Sequence, residues 1–336
     1  MTADAITIVR SRGPILAKRI AGDGRIFDYD QVKTVDLFTV RLGGLAGLEE
    51  LLRRLQRRLD CAVVRGAIAD PARISGVRRL LYDDPETGAE RTLRETPRAW
   101  VALDVDKLAC PPDCDLYDLQ EGAKAAVTAL PAAFRGASLI VQATASHGIA
   151  AGLRLRLWFW LSRPIAGREL KVWLRGSPVD ASVFRPAQLI YTAAPRFLGR
   201  AADPLPSRIA VLFGPAEMVA VPPAEKLTPP PRRPRPLPDP VHASGYALTE
   251  LTRLATRVLT ASRGTRHATI VLAARRFAEL EAAGLAGSDD IEKLLIEAAT
   301  SAGLKDDGRD PETEVHAALA WARAHLGEDR DVGSGR

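Results

Sequence analysis

Residues 99–106 read AWVALDVD, and residues 153–164 read LRLRLWFWLSRP. Both are strand-like: branched and aromatic residues dominate, and polar ones return at every second position. Alternate side chains of a strand face opposite sides, so Asp104 and Asp106 project together, roughly 6–7 Å apart at Cα. Val101, Leu103 and Val105 face the other way. In the second run Arg154, Arg156, Trp158 and Trp160 share one face, and Leu153, Leu155, Leu157, Phe159 and Leu161 share the opposite one.

Each of these features has a chemical and a plain reading. Two adjacent carboxylates repel unless a cation neutralises them, and hard divalent ions with oxygen ligands suit the pair. They could equally be solvated acids at a strand end. The loop Thr144-Ala-Ser146-His147-Gly148 leads into the arginine strand. Small hydroxyl residues and glycine let backbone amides approach an anion, and two aligned guanidiniums suit a triphosphate. The plain alternative is a polar outer face on an edge strand, with both tryptophans partly exposed. Asp180, in Ser177-Pro-Val-Asp180, is either a third carboxylate or the N-cap of a short turn over 181–184. Three acids from separated segments are the usual means of holding two Mg²⁺ ions at a phosphoryl-transfer centre.

Working outward, further strand runs are expected at 36–41, 60–65, 138–142, 187–192 and 208–213, with helices at 45–59, 117–130 and 168–174. Such mixing predicts an α+β domain over 1–221. Residues 222–240 read PPAEKLTPPPRRPRPLPDP, a composition that favours extended polyproline conformation, so a linker is placed at 222–243. The remainder is helical in period, giving a small helical domain at 244–328 and a disordered tail at 329–336. Leu248, Leu251, Ala255 and Val258 are expected on one buried face. Asp310 as N-cap with Pro311 behind it opens the last helix, whose apolar face is Val315, Leu319, Ala322 and Leu326.

The composition is that of a globular chain: 336 residues, 46% hydrophobic, 26% charged, with mean hydropathy −0.05. A net charge of +6 tolerates a polyanionic partner without requiring one. The three cysteines, Cys61, Cys110 and Cys114, do not suggest a disulfide framework. Cys110-Pro-Pro-Asp-Cys114 lacks a second Cys/His pair for zinc. No signal peptide or bilayer-length apolar run is visible, so a cytoplasmic location is expected. No GxxxxGK[ST] loop occurs, so any helicase would be a separate protein.

The order DxD, then a Ser/His loop entering a basic strand, then a hydrophobic residue followed by Asp resembles the three motifs of the archaeo-eukaryotic primase (AEP) superfamily. LRLRLWFWLSRP followed by VDASVFRPAQLIYTAAPRF at 179–197 is similar to its phage and mobile-element primase-polymerases. The resemblance covers roughly residues 30–215. It implies an N-terminal α/β unit packed on an RRM-like sheet, followed by a primase C-terminal-like helical domain. By that resemblance Asp104, Asp106 and Asp180 are catalytic ligands of a two-ion Mg²⁺ or Mn²⁺ site, while Ser146, His147, Arg154 and Arg156 grip the incoming nucleotide. The implied partners are single-stranded DNA template, a primer strand and NTP or dNTP. The chain departs from the family at one point. The histidine usually carried by the second-motif strand is replaced by Arg156, and His147 sits in the loop before it, so either could fill that role. A binding module without efficient catalysis and a metal-dependent nuclease are the competing readings.

Overall fold

The computed structural model describes residues 4–84, 87–112, 114–199, 201–228, 243–263 and 265–326. They form a mixed α+β protein that divides into two compact units, with the boundary after residue 230.

In the first unit the elements follow the order β1 (Asp4–Ser11), β2 (Arg19–Ile20), β3 (Ile26–Phe27), β4 (Val35–Leu42), α1 (Leu45–Leu55), β5 (Cys61–Val64), β6 (Ala67–Ile68), β7 (Leu93–Arg94) and β8 (Arg98–Leu108). Next come α2 (Leu119–Thr128), β9 (Leu139–Ala143), β10 (Leu153–Ile165), α3 (Gly167–Trp173), β11 (Ile190–Tyr191), β12 (Arg196–Phe197), β13 (Ile209–Leu212) and α4 (Ala224–Leu227). Two antiparallel four-stranded sheets dominate, ordered β11-β5-β1-β4 and β13-β9-β10-β8. In the second sheet β8 and β9 run parallel to each other with β10 inserted between them, the layout of a split βαβ unit crossed by α2.

Strand alternation decides what each face of the second sheet meets. The leucine face of β10 is covered by α2, where Gly122 lets the helix approach Leu153 and Leu155. The other face, bearing Trp100, Trp158 and Trp160, shares one core with Ile6, Leu42, Cys61 and Val63 of the first sheet and with the leucines of α1. Trp100 Nε1 donates across to Ala5 O at 3.1 Å, and Trp158 Nε1 donates to Gln142 Oε1 at 3.1 Å. The expectation of a polar outer face with partly exposed tryptophans is therefore corrected: all three indoles are fully buried. Their apolar area is large enough to dominate the inter-sheet core, at about 2–3 kcal/mol for each buried ring. The reverse face of the first sheet has its own core, where Val9, Leu37, Ala62 and Val64 meet Leu93 and Leu189.

Three sequence expectations shift here. Strand β1 was not among the expected runs, yet it pairs with both β4 and β5. Within the expected linker at 222–243, residues 224–227 form α4, whose Leu227 is buried in the main core; residues 229–242 lie outside those described, as does the expected tail at 329–336. Arg65 does not reach solvent, because its guanidinium donates to Trp100 O at 2.8 Å and Ile165 O at 3.0 Å inside the core.

The second unit consists of α5 (Ala243–Leu259), α6 (Arg266–Ala282), α7 (Ser288–Ser301) and α8 (Pro311–Ala324) around a core containing Leu254, Phe277, Leu295 and Leu319. Asp310 caps α8, its carboxylate accepting from Thr313 N at 2.9 Å with Pro311 at the first helical position. Leu248 and Leu326, expected on buried faces, are exposed. Arg266 and His267, considered as phosphate ligands, are engaged internally with Asp307 at 3.0 Å and Glu314 at 2.6 Å. No helix of the described residues is long and apolar enough to cross a membrane.

Two glycines test the packing in opposite directions. A Cβ on Gly167 would lie 2.2 Å from Phe184 O, whereas one on Gly47, inside α1, would meet nothing within 4 Å. Gly167→Ala should therefore cost about 2 kcal/mol by over-packing. Gly47→Ala should gain about 0.5–1 kcal/mol from helix propensity. Urea unfolding midpoints of the two variants check both signs.

Candidate active site

The antiparallel register of β8 and β10 sets Asp104 directly opposite Arg156. The arginine grips the carboxylate with both arms of its fork, Nε to Oδ1 at 2.6 Å and Nη2 to Oδ2 at 2.7 Å. Its remaining terminal nitrogen, Nη1, donates to the carbonyl of Tyr191 on β11, so one side chain ties the two sheets together. Only 7% of the Arg156 side chain and 20% of that of Asp104 are exposed. Burial works against the arginine's charge, but the attraction of Asp104 and its hydrogen bonds outweigh it and raise the arginine's pKa.

One step nearer the rim, Arg154 Nη1 meets Asp106 Oδ1 at 2.5 Å. The ladder shifts register here, and Lys107 lies in the left-handed region at φ 59°. Such an irregularity re-aims the side chains beside it. Gly152 at φ +80° lies opposite, in a conformation that favours glycine, and a Cβ there would press on Leu108 O at 3.0 Å.

Asp180 arrives from the other side. Its backbone N–H donates to Asp104 O at 2.9 Å. Its carboxylate accepts from Ser182 N at 2.8 Å and Ser182 Oγ at 2.6 Å, capping the turn at 181–184. Both readings of Asp180 thus describe the same residue: it is an N-cap, and it stands beside the β8 acids.

His147 does not face the cleft. The ring is buried, its Nε2 donating to Leu116 O at 2.8 Å while Nδ1 accepts from Arg154 N at 3.1 Å. Burial above all lowers its pKa, with the nearby Arg208 and Arg154 charges adding to the effect. The neutral ring is the form that can accept at Nδ1. Its role in this structure is to anchor the backbone of Arg154, not to touch a nucleotide. Thr144 completes the anchor, its N and Oγ1 both donating to Arg154 O at 2.9 Å. Ser146, in the same loop, is half-buried.

Two residues that sequence reasoning missed lie beside Arg156. Tyr29 and Tyr191 stack at 3.5 Å with their rings nearly parallel. Burial pushes the Tyr29 hydroxyl up to about 12, with the Arg156 and Asp104 charges acting on it in opposite directions. Tyr29 sits in a loop without periodicity, so no sequence signal pointed to it.

The expected two-ion Mg²⁺ or Mn²⁺ site on Asp104, Asp106 and Asp180 does not fit this arrangement. The donor chemistry suits a hard cation, but both oxygens of Asp104 are held by Arg156, one oxygen of Asp106 by Arg154, and those of Asp180 by Ser182. Among the described residues no three acid, histidine or cysteine side chains are grouped so as to hold a metal ion. Guanidinium groups, not metal ions, neutralise the β8 acids here. No protein-family model matches the chain, and no curated protein or solved structure is significantly similar to it.

Two consequences are measurable. Replacing Arg156 by Gln leaves a largely buried carboxylate without its counter-ion and should cost about 3 kcal/mol or more in unfolding free energy. The folded state also holds fewer protons at His147 than the unfolded chain, so stability is lost as pH falls through the unfolded value near 6.5. Thermal midpoints between pH 7.5 and 5.5 should therefore fall further for the wild type than for His147→Gln.

Proposed function

We propose that this chain is a nucleotidyltransferase of the archaeo-eukaryotic primase type, making or extending primers on single-stranded DNA from nucleoside triphosphates. The observation that carries the reading is the meeting of three sequence-distant motifs at one place. Asp104 and Asp106 on β8 face Arg156 and Arg154 on β10, and the segment bearing Asp180 hydrogen-bonds to Asp104 itself. The element order β8-α2-β9-β10-α3-β13 supports an RRM-like catalytic sheet, with the β1/β4/β5 sheet and α1 as the accompanying N-terminal α/β unit.

In this reading the cleft recognises a triphosphate through fixed positive charge. Arg154 lies at the rim beside the exposed Lys107, and both can meet phosphate oxygens. Arg156, buried against Asp104 and Tyr191, sets the spacing of the acids. The single-stranded template would be held through its phosphates, so its binding weakens with salt. Divalent cations are part of the reading, as Mg²⁺ or Mn²⁺ held by the aspartates once a guanidinium leaves them. The chemistry such ions supply at a site of this kind is neutralisation of phosphate charge and activation of a hydroxyl nucleophile. A helicase, where unwinding is needed, would be a separate partner.

The arginine-neutralised acids favour one alternative, a primase relative that grips single-stranded DNA without catalysis. A labelled primer-template incubated with dNTPs and Mn²⁺, with a no-primer lane alongside, separates the readings. The primer should lengthen, and Asp104→Asn should reduce extension by at least about 100-fold while DNA affinity is retained. Binding without extension by the wild-type chain supports the binding module, and a shortened primer supports a nuclease.

A further inference from the structure

The two arginine–aspartate pairs differ in how firmly they are built. Arg156 and Asp104 form a forked pair whose third contact is the Tyr191 carbonyl, in a setting closed to solvent. Arg154 and Asp106 share one hydrogen bond, and 58% of the aspartate side chain is exposed. The other contact of the Arg154 guanidinium is a single one, Nε to Ala151 O at 3.2 Å. Exposed ion pairs of this kind contribute no more than about 1 kcal/mol, whereas breaking a buried pair from one side costs about 3–5 kcal/mol.

The backbone of Arg154 is held far more tightly than its side chain. His147 accepts from its N–H, and Thr144 donates to its carbonyl through both N and Oγ1. The guanidinium thus hangs from a fixed pivot, over an aspartate open to solvent.

Resting on the nucleotidyltransferase reading, we propose that Arg154 is an exchangeable counter-ion of Asp106. A triphosphate draws the guanidinium onto its own oxygens, and the released carboxylate then becomes a seat for a divalent cation. Arg156 remains on Asp104 throughout. A triphosphate offers several anionic oxygens in place of the one that Arg154 holds at Asp106, and a guanidinium binds such oxygens in pairs. An aspartate stripped of its partner is in turn the group that gains most from a hard cation. Phosphate and cation would then help each other to bind by the same factor in either order. The seat is a single one at Asp106, because Asp104 stays committed to Arg156.

The exchange can be read without turnover. Free Mn²⁺ is followed by electron paramagnetic resonance as it is titrated, without nucleotide, into the full-length wild type, Arg154→Gln, and Arg154→Gln combined with Asp106→Asn. Arg154→Gln should bind one Mn²⁺ at least tenfold tighter than wild type, and the double variant should lose that gain. A gain that is absent, or that survives Asp106→Asn, overturns the proposal. Should Arg154→Gln fail to fold by circular dichroism, Asp106→Asn tests the other half alone. Titrated with inorganic tripolyphosphate in EDTA, it should bind several-fold tighter than wild type, because its arginine is already free, and equal or weaker binding overturns the exchange. Primer extension reports on the underlying reading separately. Extension by wild type without the Mn²⁺ gain removes the exchange and keeps the polymerase, and the reverse pattern does the opposite.

Discussion

The fork of Arg156 on Asp104 is the constraint around which the first unit is organised. A largely buried charge must be matched, and here one guanidinium matches it from the neighbouring strand while also satisfying a carbonyl of the other sheet. The pair can exist only where β8 and β10 hold their register and β11 stays close. Register in turn follows from the tryptophans: Trp100 stands opposite Trp160, and Ala102 opposite Trp158. A slip of one residue would turn the acids toward α2 and the leucines toward the first sheet. The apolar end of these strands therefore fixes the geometry of their polar end.

Around that fixed pair the site grades from rigid to loose. Tyr29, Tyr191 and Gln142 pack or hydrogen-bond close behind Arg156, with Gln142 Nε2 donating to Thr192 O at 2.8 Å. Asp106, Lys107 and Asp180 lie exposed at the opening. A catalytic centre needs such a gradient, since ligands must displace something at the mouth without disturbing the frame behind it. His147 belongs to the frame, and its low proton affinity keeps it there at neutral pH.

Much of this was legible in the residues, and the failures share a cause. Alternation showed which side chains of 99–106 and 153–161 travel together, and the structure keeps those sets. It could not show what covers each set. The Arg/Trp face was read as an outer surface because arginine is usually exposed, yet the first sheet closes over its tryptophans and Arg156. The same limit hid the destinations of His147 and Arg65, since partners such as Leu116 O and Trp100 O are backbone atoms distant in sequence. Strand β1 escaped notice because its apolar core, Ala5 to Val9, is short and broken by Thr7, whose hydroxyl donates to Gly66 O at 2.6 Å. The helical texture after the linker was plain, but Leu248 shows that a helical period alone does not settle which face is buried.

The central claim is that the β8 and β10 charges form a nucleotide-handling centre in which one arginine moves and the other does not. A crystal structure of the full chain with Mn²⁺ and a non-hydrolysable deoxynucleoside triphosphate addresses this most directly. The account predicts Arg154 on phosphate oxygens, cation density at Asp106, and Arg156 still forked on Asp104. A nucleotide bound elsewhere, or bound here with Arg154 unmoved from Asp106, would contradict it.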